Sequence, residues 1–297
     1  MERRYIVHGA LPAFGAACCF ACMATMVKLA SVDASSQVLV FLRSIFGLII
    51  IAPFALARGG EFLRTTRTKI HFLRALMSIA ALSCFYFAVS EIGLAEAILL
   101  NASSPLFIGL FAIFMLGEHL DRRSILALVI GFCGVLLLLK PGTQLFQFSA
   151  TVGAFAGVFI ALAKIMIRQM ADTEPVLRTV FYFGVYSAVL SAVPLFWLWQ
   201  TPSLQAVAWM AVAAIFASAG QMLMTYAFTH NRAAQVAPFS YFTVVFGGIV
   251  GWLFWRELPD LISILGGGLV IVGCLSMVLR PQQRDPWRQP QVVEGPR

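Results

Sequence analysis

Ten separate apolar runs, each long enough to cross a bilayer as a helix, dominate this chain. They lie at about 9–29, 37–57, 70–90, 95–116, 124–140, 148–168, 178–198, 205–228, 233–255 and 261–279. An α-helix rises about 1.5 Å per residue, so each run covers the roughly 30 Å of a hydrocarbon layer. Apolar residues continue around each helix rather than alternating, which argues against a β-barrel. Only 11% of the 297 residues are charged and 60% are hydrophobic. A water-soluble fold of this size has no interior large enough to hide that surface, so the bilayer must act as solvent. Ten spans consume about 200 residues. The remainder makes short loops and two tails, with no room for a separate soluble domain. The expected fold class is an all-α polytopic membrane protein with ten transmembrane helices.

Positive charge sets the expected orientation. With the N-terminus in the cytoplasm, sixteen of the 21 Lys and Arg fall on the inner side, from Arg3 and Arg4 through Arg64, Arg67, Arg74, Arg122, Arg168 and Arg178 to Arg297. The outer side holds Lys140 and Arg256, and Lys28, Arg43 and Lys164 fall inside spans. Both ends are therefore expected to be cytoplasmic. Because the basic residues are spread over separate loops, a nucleic-acid partner is not expected. Trp197, Trp199, Trp209, Trp252 and Trp255 all fall at outer span ends, where an indole sits half dry with its N–H in reach of a partner. The first run is longer than the apolar core of a signal peptide, so an uncleaved helix is expected there. The tail 282–297, rich in Pro, Gln and Arg, reads as disordered.

The chain carries an internal repeat. Shifting it by 139 residues aligns Ala88 with Ala227, Ala95 with Ala234, Phe107 with Phe246, Gly109 with Gly248, and Glu118 with Glu257. The same shift aligns Asp121 with Asp260, Ser124-Ile125-Leu126 with Ser263-Ile264-Leu265, and Gly134 with Gly273. The polar matches are hard to obtain from biased composition alone. Two five-helix units follow. Five is odd, so the second enters the membrane inverted relative to the first, a recurring plan of secondary transporters with a midplane site between the halves.

The two halves, the fourth span with Ser103-Ser104-Pro105-Leu106-Phe107, and the Gly117-Glu118 pair closing it resemble the EamA-type branch of the drug/metabolite transporter superfamily. Gly131-x-x-Gly134 and the Lys140-Pro141 and Arg280-Pro281 endings fit as well. The similarity covers about residues 8–281, as one repeat over 8–141 and a second over 148–281. The second half departs from it, with Val244 where Pro105 would be and Arg256 where Gly117 would be. The resemblance implies a bacterial inner-membrane secondary transporter, with export the expected direction. Its expected cargo is a small polar or zwitterionic metabolite, such as an amino-acid-like compound or an opine-type metallophore. Import of a vitamin or nucleotide-like cofactor, of the riboflavin or S-adenosylmethionine type, is the alternative. A channel or an intramembrane enzyme ranks below both.

Spans 4 and 9 are the candidate pore-lining helices. Pro105 removes the backbone bond to the Asn101 carbonyl, with Ser103 and Ser104 beside it. Pro238 has Gln235, Ser240, Tyr241 and Thr243 nearby. Interrupted helices at related places point to a transport site, although proline can also merely curve a packed helix. Charge is the sharper signal, because an ionised side chain costs about 2.5–3.5 kcal/mol at bilayer depth. Arg43 lies about 9 Å into span 2. Lys28 sits near the outer end of span 1, and Glu96 opens span 4 on the same side. Two cations and one carboxylate leave surplus positive charge for a substrate carboxylate, which arginine can clamp with two bonds. A structural ion pair with Glu96, Lys28 snorkelling to headgroups, is the other reading. Arg74, Lys164 and Arg168 are expected at the cytoplasmic headgroups. Tyr86, Tyr241 and Gln221 complete the candidate substrate-binding set of Arg43, Glu96, Asn101, Ser104 and Lys28, with Pro105 and Pro238 as helix kinks.

Cys18, Cys19 and Cys22 lack a neighbouring histidine or carboxylate, so no metal is expected. His8, His71, His119 and His230 form no catalytic motif, and no Walker loop occurs. Neither enzyme activity nor a cofactor is expected. The partners are a small-molecule substrate and the lipid bilayer, and a homo-oligomer is left open.

Overall fold

The computed structural model describes residues 11–92, 94–101, 103–116, 122–139, 148–230, 236, 241–256 and 260–278. Every described element is a helix. In chain order they are α1 (Leu11–Ala30), α2 (Ser36–Leu56), the short α3 (Gly60–Leu63), α4 (Thr68–Glu91), α5 (Leu94–Asn101), α6 (Ser104–Leu116), α7 (Arg122–Leu139) and α8 (Phe148–Met170). They continue with α9 (Val176–Ala192), the short α10 (Leu195–Leu198), α11 (Leu204–His230), α12 (Tyr241–Trp255) and α13 (Leu261–Val278). Helices α1, α2, α4, α8 and α11 are long and apolar enough to cross a membrane, and shorter apolar helices accompany them. Phe72, Leu73, Phe155, Ile215, Ile249 and Leu253 are exposed on these helices. Apolar side chains displayed this way are what a lipid-facing surface requires. Trp197, Trp199 and Trp252 are exposed too, while Trp209 packs against the core.

Two expected spans are shaped differently from the sequence reading. The fourth is split into α5, ending at Asn101, and α6, starting at Ser104. Pro105 has no N–H to give the Asn101 carbonyl, so regular helix bonding cannot run through. Ser103 compensates locally, its Oγ donating to the Leu100 carbonyl at 2.6 Å and its backbone N–H to the same oxygen at 3.1 Å. The seventh, expected to reach 198, stops at Ala192, and a separate turn, α10, follows Pro194. Proline again removes a donor and crowds the preceding turn.

Small residues dominate the helix interfaces, as they must where lipid is as apolar as leucine and close backbone approach supplies the attraction. Along α1, Ala13, Ala16, Ala17, Ala21 and Ala24 are buried, and α11 presents Ala206, Ala213, Ala214 and Ala217. These two helices pack along one another, as do α4 with α8, α7 with α13, and α2 with α9. At Gly134 the backbones of α7 and α13 nearly touch. A Cβ there would stand 2.6 Å from the Gly266 carbonyl oxygen and 2.7 Å from the Val270 nitrogen. On α8, Gly157 lies under the break in the fourth span, where a Cβ would meet Ser103 Oγ at 2.6 Å.

The pairing pattern is symmetric. Exchange α1 with α8, α2 with α9, α4 with α11, α5 and α6 with α12, and α7 with α13. The α1–α11 interface becomes α8–α4, α2–α11 becomes α9–α4, and α6–α8 becomes α12–α1, each of which exists. The pairs α2–α9, α7–α13 and α5–α12 map onto themselves. Every one of these interfaces joins one half to the other, so the two halves interlock around a common centre.

Candidate functional site

That centre holds a cavity of about 160 Å³. A single water needs about 10–15 Å³ on the same measure, so the space suits a small solvated molecule. Its wall draws on both halves. Arg43 comes from α2, Ser78 and Phe85 from α4, Asn101 from α5 and Ser104 from α6; Lys164 comes from α8, Phe183 from α9, Gln221 from α11 and Thr243 from α12. A smaller adjoining cavity of about 20 Å³ lies between Arg43, Ser44, Ser218 and Gln221.

Arg43 is 5% exposed, and its Nε has no hydrogen-bond partner. No carboxylate lies within ion-pair distance of it among the described residues. What it has is the Phe183 ring, whose centroid lies 5.2 Å from Cζ. Arg74 approaches the same ring at 4.7 Å and donates from Nη1 to the Thr179 carbonyl at 2.7 Å, with Nε and Nη2 unpartnered. A ring face returns about 0.5–2 kcal/mol per cation, less than the cost of drying an ionised guanidinium. Lys164 faces the cavity with its Nζ 5.7 Å from the Phe228 centroid. Among the described lining residues no acid balances these cations. Asn101 adds an Oδ1 without a partner, and Gln221 a second amide. The chemistry on offer is anion binding with amide hydrogen bonds alongside.

Of the residues singled out from the sequence, Arg43, Asn101, Ser104 and Gln221 share this cavity wall. Pro105 is buried at the start of α6. Tyr86 is fully buried with an unpartnered hydroxyl but lies outside the lining. Lys28 is elsewhere, its Nζ donating to the Val89 carbonyl at 2.8 Å and the Ile92 carbonyl at 3.0 Å, where it caps the end of α4. Glu96 is on α5 and Tyr241 opens α12, but their side chains lie outside the described residues, as does Pro238.

Arg74 and Lys164 correct the sequence reading, which put both at lipid headgroups. Arg74 is fully buried against protein and Lys164 faces the cavity. Their helices turn these positions toward neighbouring helices rather than lipid. Glu174 was missed entirely. It is 5% exposed and gathers His71 Nε2 at 3.5 Å, Arg178 Nη1 at 3.1 Å and the Thr65 hydroxyl at 2.5 Å. Arg178 also donates to the Phe62 carbonyl at 2.5 Å, and Tyr182 to that of Leu63 at 2.7 Å. The cluster clasps the 60–67 segment to α4 and α9. A lone glutamate in a short loop gives no sign of this in the sequence.

Comparison with known proteins matches the EamA-like transporter family twice, over residues 7–140 and 147–279. The chain is 34% identical over 272 residues to the pseudopaline exporter CntI of Pseudomonas aeruginosa strain UCBPP-PA14, covering 91% of this chain and 95% of that one. It is 26% identical over 238 residues to the S-adenosylmethionine uptake transporter of Rickettsia bellii, covering 80% and 82%. One solved crystal structure shares the fold, with a TM-score of 0.64 at 21% identity over 91% of this chain and 96% of that one.

Proposed function

The chain belongs to the EamA-like transporter family, and from that premise we propose that it is a secondary exporter working by alternating access around the central cavity. It is a multi-pass membrane protein and a transporter, not an enzyme. In this reading its ten spans form two inverted repeats, 8–141 and 148–281, in the bacterial inner membrane with both termini cytoplasmic. The cargo is a small polar or zwitterionic metabolite bearing a carboxylate, of amino-acid-like or opine type. The observation that carries the proposal is Arg43, a buried guanidinium without an acid partner among the described residues, in a cavity whose wall both halves build.

Each half contributes part of the wall, so rocking one half against the other moves the opening while the site stays at the centre. The substrate carboxylate takes two parallel bonds from Arg43, and Asn101 and Gln221 supply amide contacts to the rest of the molecule. The symmetric interfaces favour a rigid-body exchange, because an interface and its counterpart can trade roles at little cost. Similarity to an exporter at 34% identity supports the direction. Uptake of an S-adenosylmethionine-like cofactor, supported by the Rickettsia relatives, is disfavoured by the cavity's charge, since a sulfonium cation would meet Arg43 and Lys164.

The test is flux into and out of proteoliposomes holding the full chain. Saturable counterflow of an amino-acid-like or opine compound is expected. Its absence across such a series overturns the reading, and linear flux without saturation makes the protein a channel.

A further inference from the structure

We propose that the transported molecule carries two separate anionic groups, one held by Arg43 and the other by Lys164. The inference rests on the transporter reading of the same cavity and narrows its substrate class. Lys164 belongs to α8 in the second half, and Arg43 to α2 in the first. Both line the cavity, and neither has a hydrogen-bonded or ion-paired acid among the described residues. The buried acid Glu174 is already engaged by His71, Arg178 and Thr65. Arg74, packed against the same Phe183 ring as Arg43, adds further positive charge behind the wall.

A ligand with one carboxylate satisfies one cation and leaves the other dry and unpaired. A site built for a polar group rejects the analogue lacking it, because the site's own group is then stranded. Two anionic heads on one molecule satisfy both. Because the cations come from opposite halves, such a molecule also bridges them, so that bound substrate favours the arrangement in which both halves close on it.

The experiment uses the purified full chain and three probes: an N-(1-carboxyethyl) amino acid with two carboxylates, its monomethyl ester, and alanine. Binding is read as thermal stabilisation at graded concentration, and transport as flux in proteoliposomes. Wild type is expected to bind the diacid about tenfold to a hundredfold more tightly than the monoester, the worth of one charged hydrogen-bonded contact. Lys164→Gln should bind diacid and monoester alike, because the second anionic group has lost its cation. Lys164→Arg should restore the preference and shows that the site remains folded. Equal affinity of wild type for diacid and monoester, or a diacid preference that survives Lys164→Gln, overturns the inference. So does an equal loss of both probes in that variant. If monoester or alanine shows saturable flux in wild type with a half-saturation concentration no higher than that of the diacid, the transporter reading stands while this inference falls. If no probe shows saturable flux in wild type, both fall.

Discussion

Replacing Arg43 by methionine separates function from stability, because the two effects have opposite signs. Methionine keeps most of the stem's packing and removes the charge. An arginine at bilayer depth costs about 2.5–3.5 kcal/mol on insertion scales. Arg43 recovers little of that from the protein, since its Nε is unpartnered and its contact with Phe183 is a ring face at 5.2 Å. Losing that ring contact subtracts about 0.5–2 kcal/mol. The net expectation is a variant about 0.5–3 kcal/mol more stable than wild type. Substrate affinity should move the other way, by about tenfold to a hundredfold for one charged contact. Two assays on one preparation decide it, a thermal unfolding scan in detergent and concentration-dependent flux in proteoliposomes. A variant that melts lower than wild type, and whose transport falls only with the folded fraction, would refute the reasoning and make Arg43 a structural residue.

Lys28→Met should lower stability by about 1.5–3 kcal/mol, since two carbonyls at the end of α4 lose a charged donor; the folded fraction should keep its half-saturation concentration, which a flux titration reads. Gly134→Ala should cost about 1–3 kcal/mol, because the atoms its Cβ would meet are backbone and cannot swing aside. Gly268→Ala, where nothing lies within 4 Å, should change the melting temperature little and serves as its control. Glu174→Ala should cost about 1–3 kcal/mol, since part-buried Arg178 loses its charged partner and the Thr65 hydroxyl its acceptor, and trypsin should then cut the freed segment at Arg64 and Arg67 faster than in wild type.

The parts legible in the sequence are those set by local physics. An apolar run of twenty residues has one stable form in lipid, so α1, α2, α4, α8 and α11 follow directly. Pro105, expected as a kink, marks where the fourth span breaks into α5 and α6. What the sequence did not yield depends on how each helix is rotated. With apolar residues all round, nothing in the pattern of α4 or α8 says which side meets protein. Arg74 lies six positions into α4, about 9 Å along the axis. A long side chain there can snorkel to headgroups or turn inward, and the fold turns it inward onto Phe183. Lys164 posed the same choice, with the cavity as the outcome. Lys28, a candidate in the sequence for holding a substrate carboxylate, caps α4 instead, and the sequence gives no local sign of it because its partners, the carbonyls of Val89 and Ile92, are more than sixty residues away in the chain. Phe183 carried no signal, being one of 26 phenylalanines.

The most direct test of a cavity that opens to alternate sides is labelling of a single cysteine at position 104, in a chain freed of its six native cysteines. Ser104 lines the cavity and is 2% exposed. A small membrane-impermeant thiol reagent should reach Ser104→Cys both in right-side-out and in inverted vesicles, and bound substrate should slow the reaction from each side. Labelling from one side alone, whatever the substrate concentration, would contradict the account.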